Sequence, residues 1–165
     1  MKIAIVGAAY TGLAAARHFR RLGHQVSVST TRPERAAELE AVASEVVVTK
    51  GSDVAGMRRL IDGADAVVLT MAGGLGIKDG KPYMDPVAYR DSYVGTADGL
   101  IGALDAAPAL REIVFCSSLN AYGDAHGVSP VIETTPANAA SPAAQVFIET
   151  EQKLAGLGTE RLRVC

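Results

Sequence analysis

A doubly wound α/β fold, one parallel sheet with helices on both faces, is expected of this chain on three grounds. The opening residues Lys2–Val6 (KIAIV) read as a short apolar strand. They run straight into a glycine-spaced turn, Gly7-Ala8-Ala9-Tyr10-Thr11-Gly12, followed by a helical pattern from Leu13 to Leu22. Five further apolar runs recur along the chain with helical segments between them. These runs are continuous and rich in β-branched residues instead of strictly alternating, which is the pattern of parallel strands covered on both faces.

The later strands are expected at Gln25–Ser29, Glu45–Thr49, Ala66–Thr70, Glu112–Cys116 and Arg161–Cys165. Helices are expected at Pro33–Val42, Asp53–Ile61, Pro86–Leu104 and Pro142–Leu154. Pro33, Pro86 and Pro142 each stand where a first helical turn tolerates proline, because the missing N–H has no partner there in any case. Ser52-Asp53 reads as a helix cap. Right-handed crossovers then predict the strand order 3-2-1-4-5-6, with residues 1–165 as a single domain. Two connections, Gly73–Asp85 and Leu119–Ser141, are longer than usual, and long loops after strand C-termini are where such folds bind ligands.

The chemistry of the opening turn follows from its parts. A helix N-terminus offers unpaired N–H groups and the positive end of its dipole to a phosphate. Gly7 permits the tight turn and Gly12 the close packing of helix on strand, which makes the corner Rossmann-like and suited to a dinucleotide. Ala9 replaces the middle glycine of G-x-G-x-x-G, and its methyl narrows the approach to the phosphates. The cofactor-binding residues expected here are Gly7, Ala9, Tyr10, Thr11 and Gly12.

Composition limits the alternatives. The formal net charge is -2, with both signs scattered. No basic stripe supports nucleic-acid binding. No apolar run reaches the length of a membrane span, and the first strand is too short and too quickly broken for a signal peptide. The only cysteines, Cys116 and Cys165, lack metal-ligand spacing; buried thiols in a reducing cytoplasm are the expectation, and no metal site.

Four stretches resemble the extended short-chain dehydrogenase/reductase superfamily, in particular its NAD-dependent epimerase/dehydratase group. They are the GAAYTG turn, Asp62–Val68 (DGADAVV), Tyr89-Arg90-Asp91 with the helix to Leu104, and Phe115–Asp124 (FCSSLNAYGD) with Ile132–Pro136 and Ser141-Pro142. The last is the most specific. The resemblance implies a nicotinamide cofactor and an oxidoreductase or epimerase acting on a sugar nucleotide or other small carbonyl substrate. Hydride would pass to or from the nicotinamide, and Ser118 would polarise the substrate oxygen. It implies also that the chain is the N-terminal portion of a longer protein, its C-terminal substrate domain missing.

One departure matters. The family's chemistry uses a Tyr-x-x-x-Lys pair, in which the tyrosine transfers a proton while the lysine lowers its pKa and holds the nicotinamide ribose. Here the two positions fall on Ala143 and Phe147, and the spacing occurs nowhere else in the chain. Phe147 and Ile148 read instead as the apolar stripe of a core-facing helix. A non-catalytic dinucleotide-binding sensor, regulatory or assembly subunit is therefore the alternative to the enzyme.

The end of the second strand decides which cofactor is expected. An acidic residue there would bind both ribose hydroxyls and signal NAD. This chain has Thr30, Thr31, Arg32 and Arg35, and guanidiniums suit a 2′-phosphate, so NADP is preferred, with NAD possible. Lys50 stands where the family often has an aspartate near adenine. Met71, Ala72 and Gly73 are expected to run along the cofactor. Tyr122 is expected at the pocket floor, and His126, His18 and His24 as solvated or packing residues. The resemblance implies a homodimer through the helices Pro86–Leu104 and Pro142–Leu154. Val87, Val94, Leu100, Ile101, Val146 and Phe147 either supply that contact or face the sheet.

Overall fold

The computed structural model describes residues 1–127, 130–132, 134–158 and 162–164. Its main sheet has six parallel strands: β1 (Lys2–Val6), β2 (Gln25–Thr30), β3 (Glu45–Val48), β4 (Ala66–Leu69), β7 (Glu112–Phe115) and β8 (Leu162–Val164). Their spatial order is β3-β2-β1-β4-β7-β8, the order expected from the sequence. The two missing numbers belong to a separate antiparallel hairpin, β5 (Leu75–Lys78) and β6 (Lys81–Met84), where the sequence suggested only a long loop. Its turn is Asp79-Gly80, both at positive φ (51° and 71°), the backbone that matches a tight hairpin to strand twist. The first-strand register sets Ile3 between Val26 and Ala66, so the central strand is paired on both edges.

Alternation along β1 divides the core. Ile3 and Ile5 pack with Val26, Val28, Ala16 and Leu39 on one face, beneath α1 (Tyr10–Arg21) and α2 (Ala36–Glu40). Ala4 and Val6 look to the other face, with Val67, Leu69 and Phe115. There they meet Met57 and Leu60 of α3 (Val54–Ile61), Leu100 of α5 (Thr96–Ala103) and Leu154 of α6 (Pro142–Ala155). Burial of both faces explains the unbroken apolar strands.

Asp53 is the cap the sequence suggested, and Ser141, not read as one, caps α6. Asp53 accepts from Ala55 N at 3.0 Å and Ser141 from Ala144 N at 3.2 Å. The expected helix Pro33–Val42 is shorter: a 3-10 turn at Pro33–Arg35 leads into α2. The expected Pro86–Leu104 helix is present as a continuous helical run, α4 (Pro86–Arg90), a π turn at Asp91–Gly95, and α5. Of the expected sixth strand, Leu162–Val164 is observed, while Arg161 and Cys165 lie outside the described residues. Cys116, expected to be buried, is half-buried beyond the end of β7.

Candidate functional site

The C-terminal ends of β1, β2, β3 and β4 open into a groove of about 960 Å³, closed on its far side by α4, the π turn and the start of α5. This is the crevice at which strand order reverses in a doubly wound sheet, between β1 and β4.

Its floor is the glycine turn. Gly7 sits at φ +92°, and a Cβ there would lie 2.8 Å from Met71 Cα, so the turn needs glycine for both conformation and space. A Cβ on Gly12 would collide with the Gly7 carbonyl and the Thr70 hydroxyl, because strand and helix are in direct contact. Thr70 Oγ1 donates to the carbonyls of Gly7 (2.9 Å) and Val6 (3.2 Å). Ser29 Oγ accepts from Gly7 N at 3.0 Å. These bonds hold the turn from β2 and β4 together.

The helix behind the turn starts uncapped. Ala9 occupies the N-cap and makes no side-chain capping bond, and the first helical bond runs from Leu13 N to Ala9 O. The N–H groups of Tyr10, Thr11 and Gly12 precede it and have no carbonyl one turn back to meet. Such a terminus fits a diphosphate. Gly7, Ala8 and Ala9 line the groove, and the Ala9 methyl stands at its surface. Tyr10 and Thr11 point their side chains to solvent, Tyr10 at 93% exposure, and Gly12 is buried; none of these three lines the groove.

At the rim beyond β2 and β3, Thr30, Thr31, Arg32, Arg35 and Lys50 all line the groove. The two arginines differ. Arg35 donates from Nη1 to the Ala8 carbonyl at 2.7 Å and pairs with Glu38 at 3.2 Å, holding the Glu38 carboxyl below its ordinary range. It braces the glycine turn. The Arg32 side chain is exposed and makes no hydrogen bond or ion pair among the described residues, while its backbone N donates to Thr30 Oγ1 at 3.1 Å.

Across the groove, Met71, Ala72 and Gly73 line it, continued by Gly74 and Leu75 into the hairpin. The helical wall adds Asp91, from the resembling stretch Tyr89-Arg90-Asp91, and Asp85, Ser92 and Thr96, which the sequence did not assign to a site. Asp85 caps α4 through Oδ1, accepting from Val87 N and Ala88 N at 3.0 Å. Asp91 and Ser92 belong to the π turn, a feature with no residue signature of its own; such turns concentrate at functional sites.

Ser118 does not line the groove. Its Oγ accepts from Asn120 N at 3.2 Å, closing a local turn, and neighbouring Ser117 donates to Glu151 of α6. Phe147 is buried at 5% exposure with its ring 4.7 Å from that of Tyr93 and 6.1 Å from Tyr89. Burial pushes the Tyr93 hydroxyl up to about 12, with the neighbouring Tyr89 adding to the shift. Tyr122 is half-buried, and the His126 side chain lies outside the described residues. No cluster able to hold a metal ion occurs among the described residues. No helix there is long and apolar enough to cross a membrane.

Fold and groove together define a domain of the doubly wound α/β class. A sequence profile described as NAD(P)H-binding matches residues 7–153, and the chain belongs to that family. No curated protein matches it in sequence. Among solved structures, 99% of the chain superposes on a Thermotoga maritima UDP-glucose 4-epimerase with UDP-glucose, at TM-score 0.79, 19% identity and 54% of that protein's length. A Bifidobacterium longum UDP-glucose 4-epimerase in complex with NAD+ and UDP gives TM-score 0.77, 18% identity and 99% against 52% coverage. A short-chain dehydrogenase/reductase superfamily protein from Agrobacterium tumefaciens with bound NAD gives 0.72, 22% and 99% against 48%. The chain thus spans about half the length of the structures it matches, and shares their fold.

Proposed function

We propose that the chain binds its nicotinamide dinucleotide along the β1–β4 crevice as a domain of the epimerase/dehydratase type, and that it prefers NADP. The observation that carries the preference is Arg32, an exposed guanidinium at the groove rim whose side chain makes no hydrogen bond or ion pair among the described residues and acts on Glu38 only through its charge. A 2′-phosphate on the adenosine ribose gives it a charge-assisted, bidentate partner. Arg35 supports the site indirectly, through the Ala8 carbonyl. The diphosphate lies over the turn Gly7–Ala9, which lines the groove at the uncapped start of α1. When bound, the nicotinamide supplies a hydride donor or acceptor. In a longer, catalytic protein the substrate would be a sugar nucleotide or another small carbonyl compound.

A second reading, a non-catalytic dinucleotide-binding subunit, is favoured by one feature. Phe147, at the expected lysine position, is packed into the aromatic cluster and Ala143 has no titratable group, so no phenol–ammonium pair faces the cofactor. A homodimer through α4, α5 and α6 would draw on Val87 (79% exposed) and Ile101 (37% exposed), since Val94, Leu100, Val146 and Phe147 are buried in the core.

The test is a titration of the purified chain with NADPH and NADH, followed by nicotinamide fluorescence, repeated on Arg32→Ala. Tighter NADPH binding that falls by about tenfold or more in the variant is the expected result, the worth of one hydrogen bond to a charged group. A preference for NADH overturns the Arg32 assignment.

A further inference from the structure

The groove's recognising groups are unevenly placed, which carries an inference that rests on the dinucleotide reading above. In a doubly wound sheet the ligand crosses the switch point, with its adenosine half over β1, β2 and β3 and its other half over β4 and the strand beyond. The adenosine side is rich in charged groups. Arg32 follows β2 and Lys50 follows β3; both are exposed and both line the groove. Asp91 lies beside the β3 exit, since a Cβ built on Gly95 would stand 2.7 Å from its Oδ1 and 3.1 Å from Ser52 Cβ.

The other side has lost its handles. Neither Ser117 nor Ser118, at the end of β7, lines the groove, and each hydroxyl has a partner inside the protein, Glu151 and Asn120 N respectively. Phe147 is turned into the core against Tyr93. Among the described residues that line the groove, no lysine or tyrosine stands on that side to hold the hydroxyls of a nicotinamide riboside, while Arg32 and Lys50 stand on the other.

We propose that this chain recognises the adenosine-diphosphate half of the dinucleotide as its ligand, and that binding is blind to the attachment and the redox state of the nicotinamide. The protein is then a receptor for the class of 2′-phosphorylated adenosine diphosphates and not a sensor of the NADPH/NADP+ ratio.

Isothermal titration of the intact chain with NADPH, NADP+ and 2′-phospho-ADP-ribose tests this. The expected result is three dissociation constants within about threefold of one another, with Lys50→Ala weakening all three alike. A loss of about tenfold or more on removing nicotinamide, or a similar gap between NADPH and NADP+, overturns the inference and leaves the dinucleotide site standing. Binding of none of the three by the folded protein overturns both.

Discussion

Gly7→Ala places a methyl on a backbone with φ +92°, 2.8 Å from Met71 Cα and 3.0 Å from Met71 N. Two costs follow. Left-handed backbone is disfavoured for an L side chain by about 1–2 kcal/mol. The contact is with main chain, which cannot rotate away, so the segment after β4 must shift, at roughly 1–3 kcal/mol for a forced core contact. Together these give about 3 kcal/mol. Gly23→Ala isolates the first cost, because Gly23 has φ +82° and nothing within 4 Å of its built Cβ. It should lose only about 1.5 kcal/mol. For a chain of this length each kcal/mol lowers Tm by about 2–4 °C, so the expected drops are about 6–12 °C and about 3–6 °C. Thermal and urea unfolding followed by far-ultraviolet circular dichroism measures both variants. Since Met71 also lines the groove, Gly7→Ala should weaken NADPH binding while Gly23→Ala should not. Equal destabilisation by the two substitutions, within about 0.5 kcal/mol, would refute the close approach of the turn to the β4 exit.

Further expectations follow from the same geometry. Thr70→Val removes the hydroxyl that donates to the Gly7 and Val6 carbonyls and should cost about 1–2 kcal/mol in urea unfolding, with little change in the shape of the core. The Arg90 guanidinium, at 2.6 and 2.7 Å, holds the Glu149 carboxyl below its ordinary range. That contribution is present above the unfolded carboxylate pKa and is lost as pH falls through the lower folded value, so Glu149→Gln should flatten the acid limb of a Tm-versus-pH profile. Tyr93, raised from 10.0 to about 12, has the opposite sign: the unfolded phenol ionises first, and stability falls as pH rises from the lower value through the higher. Ultraviolet difference titration of Tyr93→Phe should lack the most alkaline of the tyrosine steps. Ser118→Ala should leave dinucleotide affinity unchanged, because Ser118 lies off the groove and closes a turn; a tenfold loss by calorimetry would place it on the ligand.

The parts of the fold legible in the sequence were those with a local physical cause. β1, β2, β4 and β7 announce themselves as β-branched runs because both of their faces are buried, and Asp53, Pro86 and Pro142 mark helix starts through backbone groups they satisfy or lack. The hairpin was not legible as strands. Leu75, Ile77 and Tyr83 are exposed, so burial imposed no alternating pattern, and only Asp79-Gly80 marked its turn. The π turn had no residue signature. Within the site, the glycine corner and the rim residues Thr30–Arg35 were readable because they precede or follow strands directly. Asp85, Asp91, Ser92 and Thr96 reach the groove only through the packing of α4 and α5 across it, a tertiary placement that no short motif encodes. The distinction between Arg32 and Arg35 likewise needed the Ala8 carbonyl in space.

Phe147 joins α6 to the helical wall of the groove. A lysine at this point of α6 would have to keep its ammonium out of the core, because an unpaired charge buried there is costly. Its partners in this chain would be the rings of Tyr89 and Tyr93, whose hydroxyls burial already pushes upward and which therefore stay neutral across the physiological range. Phenylalanine removes that conflict and adds ring packing between α6 and the π turn, alongside the Arg90–Glu149 and Lys153–Asp98 pairs at the surface. Phe147 thereby acts as a staple between α6 and the π turn, whose Asp91 and Ser92 line the groove.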